Sequence, residues 1–519
     1  MILKTLVSAI AITGSGIVIA RSAFKLPEIK DRIDSTVLPK ATSGPLAETL
    51  TKLEAEHEGL TGIAPLQSGA DAFAARILLA DAAVSSIDTQ YYMWHADLTG
   101  TLLLDALVRA ADRGVRVRLL LDDNGTTGLD TEIAALVTHP NIEVRLYNPF
   151  NLRVAKTLSY AFDFFRLNRR MHNKSFTVDG RATILGGRNI GDEYFSTGST
   201  ALFVDLDVLA VGAIVPQVAA DFDRYWATPS AYPAGAIVGE QKESDPIAKR
   251  LADFKNDSQM DEYKAILNNS NIVSALAAGE LDLEWTTTLL VSDDPIKGQG
   301  AVPREDLLAT RLMEAVGNID KKLDGISAYF VPGVAGVKTF SALEKRGVAV
   351  RMLTNSMEAT DVLPVHAGYA KHRKDMLESG VSLFELRKKV APCDVTKHLG
   401  LFGSSGASLH TKTFAVDGER IFVGSFNFDP RSTRLNTEMG ILISSEKMAQ
   451  NLHRAFDESM SGLTWQVELH DDKLVWIDSN GNSDSSSQNE KVLTSEPGSS
   501  AIRSMALTVI GWLPVEWLL

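Results

Sequence analysis

Hydrophobic and polar positions in the first half of the chain predict helices and strands in alternation. Residues 72–83 and 101–113 carry apolar side chains at helical spacing. Residues 86–93 (SIDTQYYM) and 115–121 (VRVRLLL) are typical of strands, and another strand is predicted at residues 142–146. Strands that alternate with helices favour a mixed, largely parallel sheet with helices on both faces.

The second half of the chain repeats this order. Helices are predicted at residues 307–315 and 337–345, and strands at residues 324–330 and 348–353. The phrase RGVRVRLLLDDN of the first half also lines up with RGVAVRMLTNSM of the second. This pattern indicates an internal duplication.

A longer repeated motif follows these elements in each half. Residues 171–189 are MHNKSFTVDGRATILGGRN and residues 409–427 are LHTKTFAVDGERIFVGSFN, with His, Lys, Asp, Gly and Asn at the same offsets. A two-residue period places His, Lys, Phe and Val on one face of a strand. The following Asp-Gly is typical of a hairpin turn, and a second strand then returns the Asn to the side of the His.

Each copy of the motif offers an imidazole, an ammonium group and a carboxamide to one point. These groups belong to His172, Lys174 and Asn189 in the first copy and to His410, Lys412 and Asn427 in the second. Two copies that face each other across a pseudo-twofold axis would surround one anion, and a phosphodiester suits this chemistry. One His can attack phosphorus while the other protonates the leaving oxygen. Because Lys and Asn would stabilise the transition state, neither a metal nor another cofactor is expected.

The duplicated H-x-K-x4-D motif resembles that of the phospholipase D superfamily. YYMWHADLTG, NFDPRSTRLNTEMG and the apolar C-terminus are most similar to bacterial cardiolipin synthases of the C type. The resemblance implies an α/β fold of two phospholipase D-like α/β/α domains with mixed sheets, related by pseudo-twofold symmetry, with one active site at their interface. It also implies that His172 is the nucleophile and His410 the acid and base, and that a small partner protein is encoded elsewhere.

This resemblance makes a phosphatidyltransferase the leading hypothesis. The substrates would be phospholipids: phosphatidylethanolamine or phosphatidylglycerol as donor, and phosphatidylglycerol as the acceptor that becomes cardiolipin. With water as acceptor, the same site would be a phospholipase D that releases phosphatidic acid. A nuclease is disfavoured by the net charge of −13, so nucleic acid is not an expected partner. An inactive scaffold is disfavoured because both copies keep His, Lys and Asn.

Carboxylates are expected to fix the tautomer of each histidine. Asp205 and Glu438 head matching strands downstream of the two motifs and are the predicted partners, with Asp207 as the alternative for the first motif. Asp179 and Asp417 are candidate catalytic residues as members of the motif. They fall on the opposite face of the strand, however, so a structural role in the turn is favoured.

Five further residues are weaker candidates. Asp192, Glu193, Asp429 and Arg431 follow the motif asparagines and would either line the pocket or occupy turns. His95 is either a substrate contact or a structural residue.

Both ends of the chain are apolar. Residues 5–20 form an uncharged run, which is short for the ~20 residues that span a bilayer, so a signal peptide and a membrane anchor are both open interpretations. Residues 501–519 include Trp512 and Trp517 and suit either the core or a bilayer interface. These ends favour contact with a membrane surface, with the bacterial inner membrane as the expected location. The single cysteine does not distinguish cytoplasm from periplasm.

The predicted domain organisation follows from these patterns and from an apolar content of 45%, which excludes disorder of the whole chain. The predicted parts are an apolar segment (1–24), a polar tether (25–69), a first phospholipase D-like domain (70–227), a linker (228–284), a second such domain (285–478), a mobile polar segment (479–500) and an apolar C-terminus (501–519).

Overall fold

The computed structural model describes residues 14–29, 32, 34–195, 203–241, 245–388, 408–458, 460, 462–478, 491–513 and 516–519. Most of the predicted signal peptide or anchor and most of the predicted mobile segment therefore lie outside the described residues. Residues 14–23, which are described, are helical.

The first half begins with a helix and then alternates strands with helices. Its strands are β1 (Thr61–Leu66), β2 (Ser86–Met93), β3 (Arg116–Gly125), β4 (Ile142–Tyr147), β5 (Ser175–Val178), β6 (Ala182–Gly186), β7 (Phe203–Val204), β8 (Asp207–Gly212), β9 (Ala231–Pro233) and β10 (Glu284–Thr286). Its helices are α1 (Ala47–Glu56), α2 (Gly69–Ala82), α3 (Leu98–Asp112), α4 (Asp130–Leu136), α5 (Tyr160–Leu167), α6 (Val215–Ala227), α7 (Ala234–Val238), α8 (Pro246–Asp253), α9 (Ser258–Asn269) and α10 (Ile272–Ala278).

The second half follows the same plan. Its strands are β11 (Thr288–Ser292), β12 (Lys322–Ser327), β13 (Ala349–Asn355), β14 (Ser382–Leu386), β15 (Ser408–Leu409), β16 (Lys412–Val416), β17 (Arg420–Gly424), β18 (Met439–Ile443), β19 (Thr464–His470), β20 (Lys473–Asp478) and β21 (Lys491–Leu493). Its helices are α11 (Leu308–Val316), α12 (Gly333–Lys345), α13 (Leu363–Glu378), α14 (Pro430–Arg434), α15 (Glu446–Glu458) and α16 (Ala501–Trp512).

The two large sheets share one strand order. It is β1-β8-β6-β5-β2-β3-β4-β9 in the first half and β11-β18-β17-β16-β12-β13-β14-β19 in the second. In each sheet three neighbouring strands are parallel, and the motif hairpin is antiparallel to them. The duplication predicted from the sequence is therefore a duplication of the sheet topology.

The boundaries of the halves differ from the predicted ones. β1 lies within the predicted tether but pairs with β8. β9 lies within the predicted linker, and β10 crosses from that linker into the predicted second domain, but both strands extend the first sheet. β21 forms an edge of the second sheet within the segment predicted to be mobile. These short strands gain their backbone hydrogen bonds from distant neighbours, so their own composition does not reveal them.

Each half has its own apolar core, and a third apolar cluster joins them. This third cluster includes Leu206 and Val208 of the first half and Val423 and Ile441 of the second. The two sheets are therefore held together by burial of apolar side chains near the motif hairpins.

A duplicated ion pair links neighbouring parallel strands in each half. Arg118 Nε and Nη2 donate to both carboxylate oxygens of Asp88 at 2.7 and 2.8 Å, and Arg351 makes the same paired contact with Asp324. Arg118 also stacks on Phe222, which lies on α6. The repeated RGVxVR phrase thus encodes a bidentate contact that fixes strand register.

Replacing Arg118 with Met should destabilise the fold strongly. The Arg118 side chain is fully buried and Asp88 is almost so, and breaking a buried ion pair costs ~3–5 kcal/mol. Urea unfolding followed by circular dichroism measures the change. Arg109→Met is the control, because its ion pair with Asp105 is exposed and should contribute ~0–1 kcal/mol. Equal effects of the two substitutions would contradict the prediction.

Candidate active site

Two short backbone pairings join the halves beside the motif histidines. β7 pairs with β15 in parallel, and Met171 forms a parallel bridge with Thr437. His172 N donates to Thr437 O at 2.8 Å, and His410 N donates to Val204 O at 2.9 Å. Each motif histidine therefore lies beside a backbone segment of the opposite half, and the next residue in that segment carries a carboxylate.

The two carboxylates predicted as histidine partners make these contacts, but across the halves. His172 Nδ1 lies 2.8 Å from Glu438 Oε2, and His410 Nδ1 lies 2.6 Å from Asp205 Oδ2. The expected pairing of Asp205 with the first motif is therefore wrong, and its alternative Asp207 binds Arg76 instead. A carboxylate at Nδ1 leaves Nε2 of each imidazole to act on a substrate.

Each motif lysine is held beside its own histidine. Lys174 Nζ donates to His172 O at 2.6 Å, and Lys412 Nζ donates to His410 O. Each ammonium group has three N–H donors, so this contact orients it without using all of them. Burial lowers the pKa of Lys174 to about 7 and also lowers the pKa of Lys412.

The charged groups of both halves act on one another. The pKa of His172 is lowered to about 4, because burial and the charges of both lysines together outweigh the opposing effect of Glu438. Burial, Lys412, Lys174 and His172 hold the pKa of His410 well below its usual value. The two motifs therefore form one electrostatically coupled site, in which groups from both halves set the charge of each histidine.

The motif asparagines are held by the backbone in the same way. Asn189 Oδ1 accepts from Met93 N at 3.2 Å, and Asn427 Oδ1 accepts from Tyr329 N at 3.4 Å. Asn189 Nδ2 donates to the hydroxyl of Tyr194. Both carboxamides lie where the motif hairpin returns beside its histidine, and their contact with phosphate oxygens stays a prediction.

The motif aspartates lie at the far end of the hairpin from the histidines. Asp179 and Asp417 adopt left-handed backbone conformations with φ of 57° and 56°. Asp179 Oδ1 accepts from the backbone N–H groups of Ser85 and Ser86 at 2.7 and 3.0 Å, and Asp417 does the same for the chain entering β12. These contacts fix the turn to the neighbouring strand and support the structural role over the catalytic one.

Aromatic rings beside the histidines were not predicted from the sequence. The Tyr92 ring lies edge-on to His172 with centroids 5.0 Å apart, and Tyr194 and Phe203 lie 5.1 and 5.2 Å from His410. Ser425 Oγ donates to Glu438 Oε2 at 2.5 Å. The alternating SIDTQYYM strand was the available signal for Tyr92, whereas Tyr194 and Phe203 lie outside any regular pattern.

The weaker candidates have structural partners. Asp192 accepts from Thr99 N, Asp429 caps α14 by accepting from Ser432 N, and Arg431 donates to backbone carbonyls. His95 Nδ1 lies 3.0 Å from Glu193. These two residues and Asp97 have potential metal-ligand atoms within 4.8 Å of one another. Both oxygens of Asp97 already accept backbone N–H groups, one from Gly100 at the start of α3 and one from Asp192, so a structural role is sufficient to explain this group.

The chain matches a family model described as cardiolipin synthase, phospholipase D-like domain, twice, at residues 77–226 and 311–460. It therefore belongs to this family of phospholipase D-like proteins, and the predicted fold class is confirmed. The chain is 46% identical over 477 residues to cardiolipin synthase C of Escherichia coli (strain K12), covering 91% of this chain and 99% of that protein.

More distant relatives agree on the fold. Cardiolipin synthase A of Pseudomonas entomophila (strain L48) is 25% identical over 76% of this chain and 68% of its own length. The crystal structure of phosphatidylserine synthase from Haemophilus influenzae Rd KW20 has a TM-score of 0.52 at 15% identity, covering 81% of this chain and 92% of that one.

Asp179→Ala should reduce stability without removing a reacting group. The substitution leaves the N–H groups of Ser85 and Ser86 without their carboxylate, which costs ~1–3 kcal/mol. Asp179→Asn keeps one side-chain oxygen and should be less destabilised. Urea unfolding gives the stability, and activity per folded molecule gives the catalytic effect. A large loss of activity in Asp179→Asn at unchanged stability would contradict the structural role.

Proposed function

We propose that this protein is a cardiolipin synthase-like phosphatidyltransferase. It takes a phosphatidyl group from phosphatidylethanolamine or phosphatidylglycerol and transfers it to phosphatidylglycerol. The observation that carries this proposal is the crossed arrangement of two histidines, two lysines and two carboxylates around one site. The identity to cardiolipin synthase C over nearly the whole chain supports the substrate class.

In the first step, His172 Nε2 attacks phosphorus and a bond from phosphorus to the headgroup oxygen breaks. Glu438 at Nδ1 holds the imidazole in the tautomer that leaves Nε2 with its lone pair. His410 gives a proton to the departing alcohol oxygen, so that a neutral headgroup alcohol leaves. The product is a phosphatidyl group bonded to His172.

In the second step, a hydroxyl of phosphatidylglycerol attacks the same phosphorus atom. His410 takes the proton of that hydroxyl, the bond between phosphorus and His172 breaks, and cardiolipin is released. Lys174 and Lys412 stabilise the charge on the nonbridging oxygens in both steps. Binding of the anionic phosphodiester offsets the lysine charges and raises the pKa of His410, so that it can carry the proton.

We also propose that the protein works at a membrane surface, with the bacterial inner membrane as its location. Exposed apolar side chains are concentrated on α16 and α5, and they include Ile502, Met505, Trp512 and Phe165. Tryptophan beside aliphatic side chains suits the interfacial region of a bilayer. No helix among the described residues has the length and apolar character needed to cross a bilayer. The small partner protein implied by the resemblance stays a prediction.

The test is a transfer assay with labelled lipids. Purified protein is incubated in mixed micelles of phosphatidylglycerol and phosphatidylethanolamine, with each lipid labelled in turn, and products are followed by mass spectrometry. Wild-type protein should form cardiolipin, and His172→Ala and His410→Ala should each lose roughly 10²–10⁴-fold or more in rate. His139→Ala is the matched control, since His139 contacts Asp112 outside the motifs. Phosphatidic acid as the sole product would instead make the protein a phospholipase D, and transfer by either motif variant at the wild-type rate would refute the mechanism.

The pH dependence of kcat/KM should report the charge on Lys174. Because the pKa of Lys174 is lowered to about 7, its ammonium form is present below this pH and is lost above it. We expect kcat/KM for transfer to fall as the pH rises through this value. Lys174→Arg keeps its charge, so its residual kcat/KM should fall only at higher pH. An alkaline fall at the same pH in both proteins would show that another group is responsible.

A further inference from the structure

A pocket separate from the motif histidines lies between the N-terminal segment and the first half. It has a volume of about 470 Å³ and includes Arg21, Lys25 and Arg166 among its lining residues. Asn151 Nδ2 donates to Phe24 O at 2.9 Å and thereby ties the segment to the domain. The pocket is large enough for the phosphate group and polar headgroup of a lipid.

Arg166 gives this pocket a fixed positive charge. Its Nε donates to Asp163 at 2.6 Å, and its Nη2 donates to Pro149 O and Asn151 Oδ1 at 3.0 and 2.9 Å. The side chain is nevertheless 24% exposed. These contacts therefore hold the guanidinium group in place at the wall of the pocket.

The charges of the pocket also favour an anion. The described lining residues include three basic side chains and two carboxylates, Asp163 and Glu28. Arg21 and Arg166 share Asp163, and Lys25 lies 3.8 Å from Glu28. One positive charge is therefore in excess in a chain whose net charge is −13, so the pocket departs from the general charge of the protein.

Exposed apolar side chains lie close in sequence to the basic residues of the pocket. Phe165 on α5 is 76% exposed, and Ile19 and Phe24 in the N-terminal segment are 67% and 45% exposed. Apolar side chains would not contribute to the binding of a small soluble anion, whereas a phospholipid combines a phosphate with acyl chains that can contact them. Leu26, Ile29 and Tyr232 continue this apolar character within the pocket.

We propose that this pocket binds the phosphate of an anionic phospholipid at a site separate from the transfer site. The positive charges of Arg21, Lys25 and Arg166 surround the phosphate, and the acyl chains lie against Phe24 and Phe165. Four residues separate the end of α5 from His172, so a short stretch of chain connects the pocket with the first motif. This role rests on the proposed membrane function but not on the transfer chemistry.

Vesicle flotation with the full chain tests the proposal. Vesicles of phosphatidylcholine alone are compared with vesicles that also contain phosphatidylglycerol. Arg21→Gln/Lys25→Gln should weaken binding to the anionic vesicles by about fivefold for each residue and leave binding to phosphatidylcholine unchanged. The matched control is Lys255→Gln/Lys264→Gln, which removes two exposed charges from the end of α8 and from α9. Equal weakening by the two double variants would mean that only net charge matters and would overturn the proposal.

A second measurement separates a lipid from a free anion. A photoactivatable phosphatidylglycerol should label peptides containing residues 21–29 and 151–166 in wild-type protein, and Arg166→Lys, which keeps the charge but loses the contacts with Pro149 and Asn151 that fix its position, should reduce this labelling. Inorganic phosphate that abolishes the labelling at millimolar concentration would identify a free-phosphate site and refute the lipid assignment. Transfer activity in saturating mixed micelles should persist in Arg21→Gln/Lys25→Gln, whereas failure of the proposed function would appear as absent transfer in wild-type protein.

Discussion

The site depends on two backbone pairings between the halves. The bridge from Met171 to Thr437 and the pairing of β7 with β15 set each histidine one residue beyond a cross-half contact. The next residue on the other side of each contact is a carboxylate. Because the backbone fixes this arrangement, His172 meets Glu438 and His410 meets Asp205 without long or flexible side chains. The apolar cluster between the sheets holds these pairings in place.

Much of the fold was predictable because it is local and repeated. The period of two in the motif, the Asp-Gly turn and the RGVxVR phrase each specify structure over a few residues, and β2 has the predicted bounds. The two carboxylates were identified by their position at matching strands. Their exchange between the halves was not predictable, since it depends on a contact between segments more than 200 residues apart. The edge strand β9 and the position of the Phe203 ring were not predicted either, because each depends on a contact with a distant part of the sequence.

The two halves of the site are similar in sequence but not equal in chemistry. Ser425 donates to Glu438, whereas the corresponding Gly187 leaves room for Asp205, whose Oδ1 would lie 2.1 Å from a Cβ at that position. Burial is outweighed at Glu438 by His172, Lys174 and Ser425, which lower its pKa, whereas burial raises the pKa of Asp205. The carboxylates that contact the two histidines therefore differ in their affinity for a proton. This difference suits the distinct roles that the histidines have in one reaction.

The crossed pairs have a consequence for how such a chain can change. In a symmetric dimer of one repeat, every substitution would appear on both sides of the twofold axis, and the two histidines would stay identical. Joining the repeats in one chain keeps the same interface but allows the sequence of each copy to change independently of the other. The combination of Glu438 with Ser425 in one copy can then differ from the combination of Asp205 with Gly187 in the other. Point mutations in one copy can thus adjust the nucleophile and the proton carrier separately. Neither repeat can act alone, however, because the carboxylate that contacts its histidine belongs to the other repeat.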